Sequence, residues 1–170
     1  MEGVVQAETR EETLSRLVRA HQSALLRLCY LSLRDQELAR DAVQETFLKA
    51  YEGYHNFRGD STEKTWLASI ALNVCRDMRR ANWFRYVDRR VTPESLAMSA
   101  TPADDAVDLG VAISHLPTKL REVVLLYYYE GMTIEEISAT LHAAKSTIST
   151  RLKHALERLR ITIEGGEEHD

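Results

Sequence analysis

The sequence predicts an all-α chain made of two small helical modules joined by a flexible linker. Apolar residues recur at spacings of three and four along most of its 170 residues. Thr92 to Asp108 breaks that period with Pro93, Pro102, several small residues, three Asp and one Glu. The charge divides in the same way. The net charge is −4, yet Phe57–Arg90 holds eight Lys/Arg against four Asp/Glu and Lys145–Arg160 holds five against one. Val91–Thr140 between them holds two against eight, and Ile161–Asp170 adds four acids. Two basic islands separated by an acidic stretch suggest two nucleic-acid contacts held apart by a tether.

The first module begins after a polar stretch, Met1–Thr13, read as mobile. Leu14, Leu17, Val18, His21, Leu25 and Leu28 form a helical stripe, with His21 expected as a packed boundary residue rather than a metal ligand. Asp35 can cap a second helix, whose inner residues are Leu38, Ala42, Val43, Phe47 and Tyr51. Arg40, Asp41, Gln44, Glu45 and Lys49 lie on its outer face. Tyr51, Tyr54 and Phe57 lead into a loop, Phe57 to about Lys64, with candidate caps at Ser61 and Thr62.

A third helix is expected from about Lys64 to Arg80 or slightly beyond. Leu67, Ile70, Ala71, Val74 and Met78 make one continuous apolar stripe. Trp66, Ser69, Asn73, Arg76, Asp77 and Arg80 project from a largely opposite side. Amide, guanidinium and indole groups beside a loop with an exposed aromatic suit unstacked bases and phosphates. Asn73 offers an amide to a base edge, while Arg76, Arg79 and Arg80 suit phosphates. Trp66 fits either of two roles, seating the loop or bordering the bases. Trp83, Phe84 and Tyr86 are expected to close the first core; interleaved with Arg85, Arg89 and Arg90, they also suit a nucleic-acid contact.

The second module starts near Leu109. Pro117 stands at a first helical position, and Leu120, Val123, Val124 and Tyr127 continue an apolar face. Gly131 ends that helix. Thr133 and Glu136 form a capping box ahead of a short helix with Ile134, Ile137 and Leu141 inside. After the turn His142-Ala143-Ala144 comes a longer helix with Ile148, Leu152, Ala155, Leu156 and Leu159 inside. This is a helix-turn-helix, with Lys145, Thr147, Ser149, Thr150, Arg151, Lys153 and His154 facing outward.

Composition excludes several classes. No stretch approaches a membrane span, and Met1–Thr13 lacks the apolar run of a secretory signal. Cys29 and Cys75 have no C-x-x-C partner and read as buried small hydrophobes in a reducing cytoplasm. There is no phosphate-binding glycine loop, no H-E-x-x-H and no G-x-S-x-G, and the six His are scattered. Neither an enzyme, nor a cofactor or metal, nor a small-molecule substrate is expected.

Phe57-Arg58-Gly59-Asp60-Ser61, Lys64-Thr65-Trp66-Leu67 and Asn73-x-x-x-Asp77-x-x-Arg80 resemble region two of bacterial sigma factors of the sigma-70 family. The resemblance is greatest to the small two-domain extracytoplasmic-function (ECF) group. Asp41 to Tyr51 is similar to that family's helix that docks on the clamp of the RNA polymerase largest subunit. Met132-Thr-Ile-Glu-Glu-Ile-Ser and Ser146-Thr-Ile-Ser-Thr-Arg151-Leu resemble sigma region four.

The resemblance implies boundaries of 14–91 for region two, 92–108 for the linker and 109–162 for region four. It implies that Phe57, Arg58, Ser61, Lys64, Trp66, Asn73, Arg76, Arg79 and Arg80 capture the displaced strand of the promoter minus-ten element. Lys145, Ser146, Thr147, Ser149, Thr150, Arg151, Lys153 and His154 take the minus-thirty-five element. Asp41, Gln44, Glu45, Phe47 and Lys49 become polymerase contacts, with a second contact on the polymerase flap. An anti-sigma factor, often membrane-anchored, masks the same surfaces in such proteins. The implied protein is a cytoplasmic transcription initiation factor, monomeric when alone, and the linker passes through the polymerase interior. A stand-alone helix-turn-helix regulator is the alternative; it requires a dimer interface, for which the chain offers no heptad repeat, and leaves the first module unexplained.

The match departs from the family at Ser146, where Gly is common, at Ser149, where Lys is common, and at His154, where Arg is common. Two cations are therefore missing from the expected DNA face. Each phosphate contact changes the slope of binding against salt by about one unit. Ser149→Lys is expected to strengthen duplex binding and steepen that slope, read by fluorescence anisotropy across a salt series; unchanged affinity would contradict this.

Overall fold

The computed structural model describes residues 7–88 and 106–165, with side chains placed for 7–82 and 109–164. Among the described residues every regular element is helical. The linker residues 92–105 lie outside them, as do Arg89, Arg90 and the side chains of Trp83, Phe84, Arg85 and Tyr86.

Helix α1 spans Arg10–Leu33 and begins earlier than its apolar stripe. Thr9 and Glu12 form a capping box, which draws Arg10–Thr13, expected to be mobile, into the first turn. Asp35 accepts a bond from the Leu38 amide at 2.9 Å and starts α2, Gln36–Gly53. A single 3₁₀ turn, Tyr54–Asn56, leads into the loop. Thr62 rather than Ser61 supplies the next cap, its hydroxyl accepting from the Thr65 amide at 3.1 Å. Helix α3 then runs Glu63–Asp88, past the expected end near Arg80.

These three helices pack closely because their contact residues are small. Cys29, Ala39, Ala42, Ala50, Ala68, Ala71 and Cys75 are all at 0% exposure. Leu17, Leu25, Leu28, Leu67 and Leu72 fill the remaining space. Leu72 and Ala68 lie outside the predicted stripe, so α3 is buried over a wider arc than one face. His21 is half-buried, and burial lowers its pKa, as expected for a packed boundary residue.

The second module begins with α4, Ala106–His115, which reaches into the stretch assigned to the linker. Pro117 caps α5, Thr118–Val124, with its carbonyl accepting from the Leu120 and Arg121 amides; it sits one position before the first helical residue. The helix then widens into a π turn, Leu125–Tyr129, closed by the Glu130 amide on the Leu125 carbonyl at 3.1 Å. Leu125 and Leu126 point inward, while Tyr127, expected inside, is 37% exposed and Tyr128 55%. Gly131, at φ +65°, reverses the chain. The Thr133/Glu136 capping box starts α6, Ile134–Leu141, and His142 at φ 51° ends it before α7, Lys145–Gly165. Ile148, Ala155 and Leu159 are buried as expected; Leu156 is 41% exposed instead.

The buried side chains of both modules form one continuous cluster. Gly110 of α4 faces Leu31 of α1, where an added Cβ would stand in ordinary van der Waals contact with the leucine Cδ2 at 3.8 Å.

An ion-pair cluster ties the start of α3 back to α1. Arg16 donates through both terminal nitrogens to Glu63 at 2.7 and 2.9 Å, and the Tyr54 hydroxyl donates to the same carboxylate at 2.7 Å. The Arg16 guanidinium, then the tyrosine hydroxyl, hold the Glu63 carboxyl below its ordinary value of 4.5. A lowered folded pKa gives stability that is complete above the ordinary value and is lost as pH falls through the lowered one. Glu63→Gln should therefore lower stability at neutral pH and converge with the unaltered chain in acid. Urea denaturation between neutral pH and about pH 3 reads the difference; a constant gap across that range would contradict it.

Candidate nucleic-acid interface

The loop Phe57–Lys64 stands on an aromatic base. The Phe57 and Trp66 rings lie 4.9 Å apart, and Tyr54 meets both at 5.8 and 5.9 Å. Such pairs contribute about 0.5–1.5 kcal/mol beyond the area they bury. Trp66 is half-buried against Phe57 and Tyr54, a position that seats the loop. Gly59, at φ +74°, turns the loop outward with nothing near its missing Cβ. Arg58 and Asp60 are exposed there, and Ser61 is half-buried.

Along α3 the exposed side carries Asn73, Asp77 and Arg80. Arg76 and Arg79 lie on the same side, but they are engaged. Arg76 donates to both oxygens of Glu122 in α5, at 2.8 and 2.7 Å. Arg79 reaches Glu122 at 3.2 Å and the Ser32 hydroxyl at 2.7 Å. The expectation that both hold phosphates therefore meets a carboxylate from the second module in their way. Glu122 is 3% exposed, and its charge raises the Arg76 pKa.

Arg121, next along α5, donates to the carbonyls of Ser32, Ser114 and Leu116 at 2.8, 2.6 and 3.0 Å. Its Nε is buried with no partner, and burial lowers its pKa. Lys64 lies 3.9 Å from Glu130, whose carboxyl is driven upward by burial. Cys29 and Cys75 are fully buried behind this seam. The two thiols lie close enough to influence each other, and together with burial this pushes the Cys29 thiol up.

On α2, Asp41, Gln44 and Lys49 are exposed, and Glu45 pairs with Lys49 at 3.4 Å. Phe47 does not belong to that surface. It is 7% exposed, with its ring in the core, so it supports the face from beneath. Leu48 is 53% exposed and continues Asp41, Gln44 and Glu45 at helical spacing. An isolated leucine in an amphipathic helix reads as packing; its position out of phase with the stripe was the available signal of its exposure.

On the second module, Lys145, Ser146, Ser149, Thr150, Lys153 and His154 are exposed on one helix, with Thr147 and Arg151 half-buried. Lys145 pairs with Glu135 of α6 at 3.2 Å. An open groove of about 550 Å³ shares Ser149 and Lys153 with this surface and is otherwise lined chiefly by Tyr127, Ile134, Leu152 and Leu156. The outward turn of Tyr127 and Leu156 forms it, which helical period alone did not reveal. No cluster of His, Cys, Asp or Glu suited to a metal occurs among the described residues, and none of their helices is long and apolar enough to cross a membrane.

Residues 17–85 match the family description Sigma-70 region 2, and residues 106–159 match Sigma-70, region 4. The RNA polymerase sigma-H factor of Pseudomonas aeruginosa is 32% identical over 158 residues, covering 84% of this chain and 82% of that protein. The ECF RNA polymerase sigma factor SigL of Mycobacterium tuberculosis is 32% identical over 151 residues, covering 85% of each. The sigma factor RpoE of Bartonella quintana, solved in complex with the anti-sigma factor NepR, superposes with a TM-score of 0.79 at 25% identity, over 89% of this chain and 97% of that one. With both regions in order along an all-helical chain, and relatives matched over most of their length, this protein belongs to the sigma-70 family as an ECF RNA polymerase sigma factor.

Proposed function

We infer that the chain binds core RNA polymerase, opens promoter DNA at the minus-ten element and docks on the minus-thirty-five element. It does so with no catalytic chemistry, cofactor or small-molecule substrate of its own. The first module, 14–91, acts as region two and the second, 109–162, as region four, with 92–108 as the tether. The exposed face of α2, Asp41, Gln44, Glu45, Leu48 and Lys49, meets the polymerase clamp. The apolar wall of the groove beside α7, Tyr127, Ile134 and Leu156, meets the flap. The outward side of α7 enters the major groove.

The observation that carries the reading is the Tyr54–Phe57–Trp66 cluster at the head of α3, beside exposed Asn73 and Arg80. Separating a duplex costs roughly 1.4 kcal/mol of stacking per base step. A protein without a fuel-driven motor meets that cost only by holding the separated strand better than the duplex. One base stacked on an aromatic contributes about 1–3 kcal/mol, so a few captured bases suffice. Phe57 is suited to that stacking, with Asn73 reading a base edge and Arg58 and Arg80 on phosphates.

Control by an anti-sigma factor is supported by the overlap with RpoE of Bartonella quintana, a sigma factor solved with such a partner. The chain is then a cytoplasmic monomer, held at the membrane where that partner is anchored there.

Run-off transcription with core polymerase and a pool of promoter fragments tests the reading, with product expected only when the chain is added. Asn73→Ala should reduce opening about tenfold, as expected for loss of one base-reading amide, and leave polymerase binding unchanged. Loss of polymerase binding by this exposed substitution, or no product from the unaltered chain, would overturn it.

A further inference from the structure

Five cations stand among the residues assigned to strand capture: Arg58, Lys64, Arg76, Arg79 and Arg80. Three of them face carboxylates of the second module. Glu122 receives Arg76 at 2.8 and 2.7 Å and Arg79 at 3.2 Å, and Glu130 stands 3.9 Å from Lys64. Both acids are buried, at 3% and 7% exposure. The two-point fork that Arg76 makes on Glu122 is the one a guanidinium makes on a phosphate. We propose that α5 is an internal competitor for nucleic acid, with Glu122 and Glu130 occupying phosphate positions on α3 and closing the strand-binding face of the isolated chain. This rests on the assignment of that face to the separated strand.

The polar contacts of the seam are exchangeable. Arg76 and Arg79 share one carboxylate, and Arg121, next in sequence to that acid, holds only carbonyls, so positive charge is in excess there. Arg121 is drawn out of water with its Nε unpartnered. Glu130 is buried opposite a lysine beyond hydrogen-bond distance. Ion pairs bought out of water at such cost hold weakly in net terms, and a polyanion can replace them. Against α1, Arg121 holds the Ser32 carbonyl and Gly110 faces Leu31, where a Cβ would stand in ordinary contact and only a longer side chain would push on α1.

Two substitutions open the seam by unrelated routes. Glu122→Gln removes the competing charge. Gly110→Leu adds bulk against Leu31, touches none of the strand-face residues, and raises the helix propensity of α4. The probe is a fluorescein-labelled, A/T-rich single strand of about 12 nucleotides, within the length that one such groove tracks. Binding to the full chain is read by anisotropy, helix content by circular dichroism, and the radius of gyration by small-angle scattering.

Both variants are expected to bind the strand about tenfold more tightly than the unaltered chain, with an enlarged radius of gyration and unchanged helix content. The unaltered chain should expand when the strand is added. If Gly110→Leu keeps its helices and enlarges the chain but leaves strand affinity unchanged, the competitor role is wrong. If neither variant enlarges a chain that still supports run-off transcription, the closed seam is wrong and the functional reading stands. An unaltered chain that yields no transcript overturns both.

Discussion

The close approach of α1, α2 and α3 underlies the rest of the molecule. Alanine and cysteine at the crossing points let the three backbones come together, and leucines seal the gaps. Each fully buried leucine contributes about 1.5–3 kcal/mol, so the bundle rests on a few positions that tolerate little change. That packing fixes the rotation of α3 about its own axis. With Leu67, Ala71 and Cys75 inside, Asn73 and Arg80 have no direction but outward, and Trp66 has none but beneath the loop. A rigid frame then presents stacking and amide groups at fixed spacing, which a mobile loop alone does not achieve.

The polar half of α3 serves two environments. Near its start, Arg16, Tyr54 and Glu63 knit the loop to α1 through contacts that are internal to the first module. Further along, Arg76 and Arg79 bridge to the second module. Cations suited to a polyanion are also suited to a carboxylate, so a chain with two modules on a tether carries an inherent rivalry for that surface. The acids of α5 and of the turn after it give the rivalry a structural form.

Much of this was legible in the residues. Thr133 with Glu136, and Asp35 with the Leu38 amide, are contacts three residues apart, and local chemistry determines them. The stripes of α1 and α2 followed their period, since each helix buries one side. What stayed hidden depended on distance along the chain. Arg76 and Glu122 are separated by 46 residues, and an arginine on a polar face looks the same whether it meets water or a buried acid. Leu72 was missed because α3 is covered over a broader arc than one stripe describes. Phe47 was placed on a binding surface by motif, against its own period, and the period was right. Tyr127 went the other way because it lies within the widened turn, where the period of α5 no longer holds, and Leu156 of α7 lines the open groove opposite it.

That widened turn, Leu125–Tyr129, has a geometric meaning for the whole second module. An extra residue within a helix rotates everything on one side of it by roughly 100° relative to the other. Glu122 lies before the turn and the helix-turn-helix after it. The widened turn thus sets the phase, within its own helix, between Glu122 on the edge that faces α3 and the outward Tyr127 and Tyr128. A regular helix in that place would carry the two tyrosines at a different azimuth from Glu122, and the groove beside α7 would lose its Tyr127 wall.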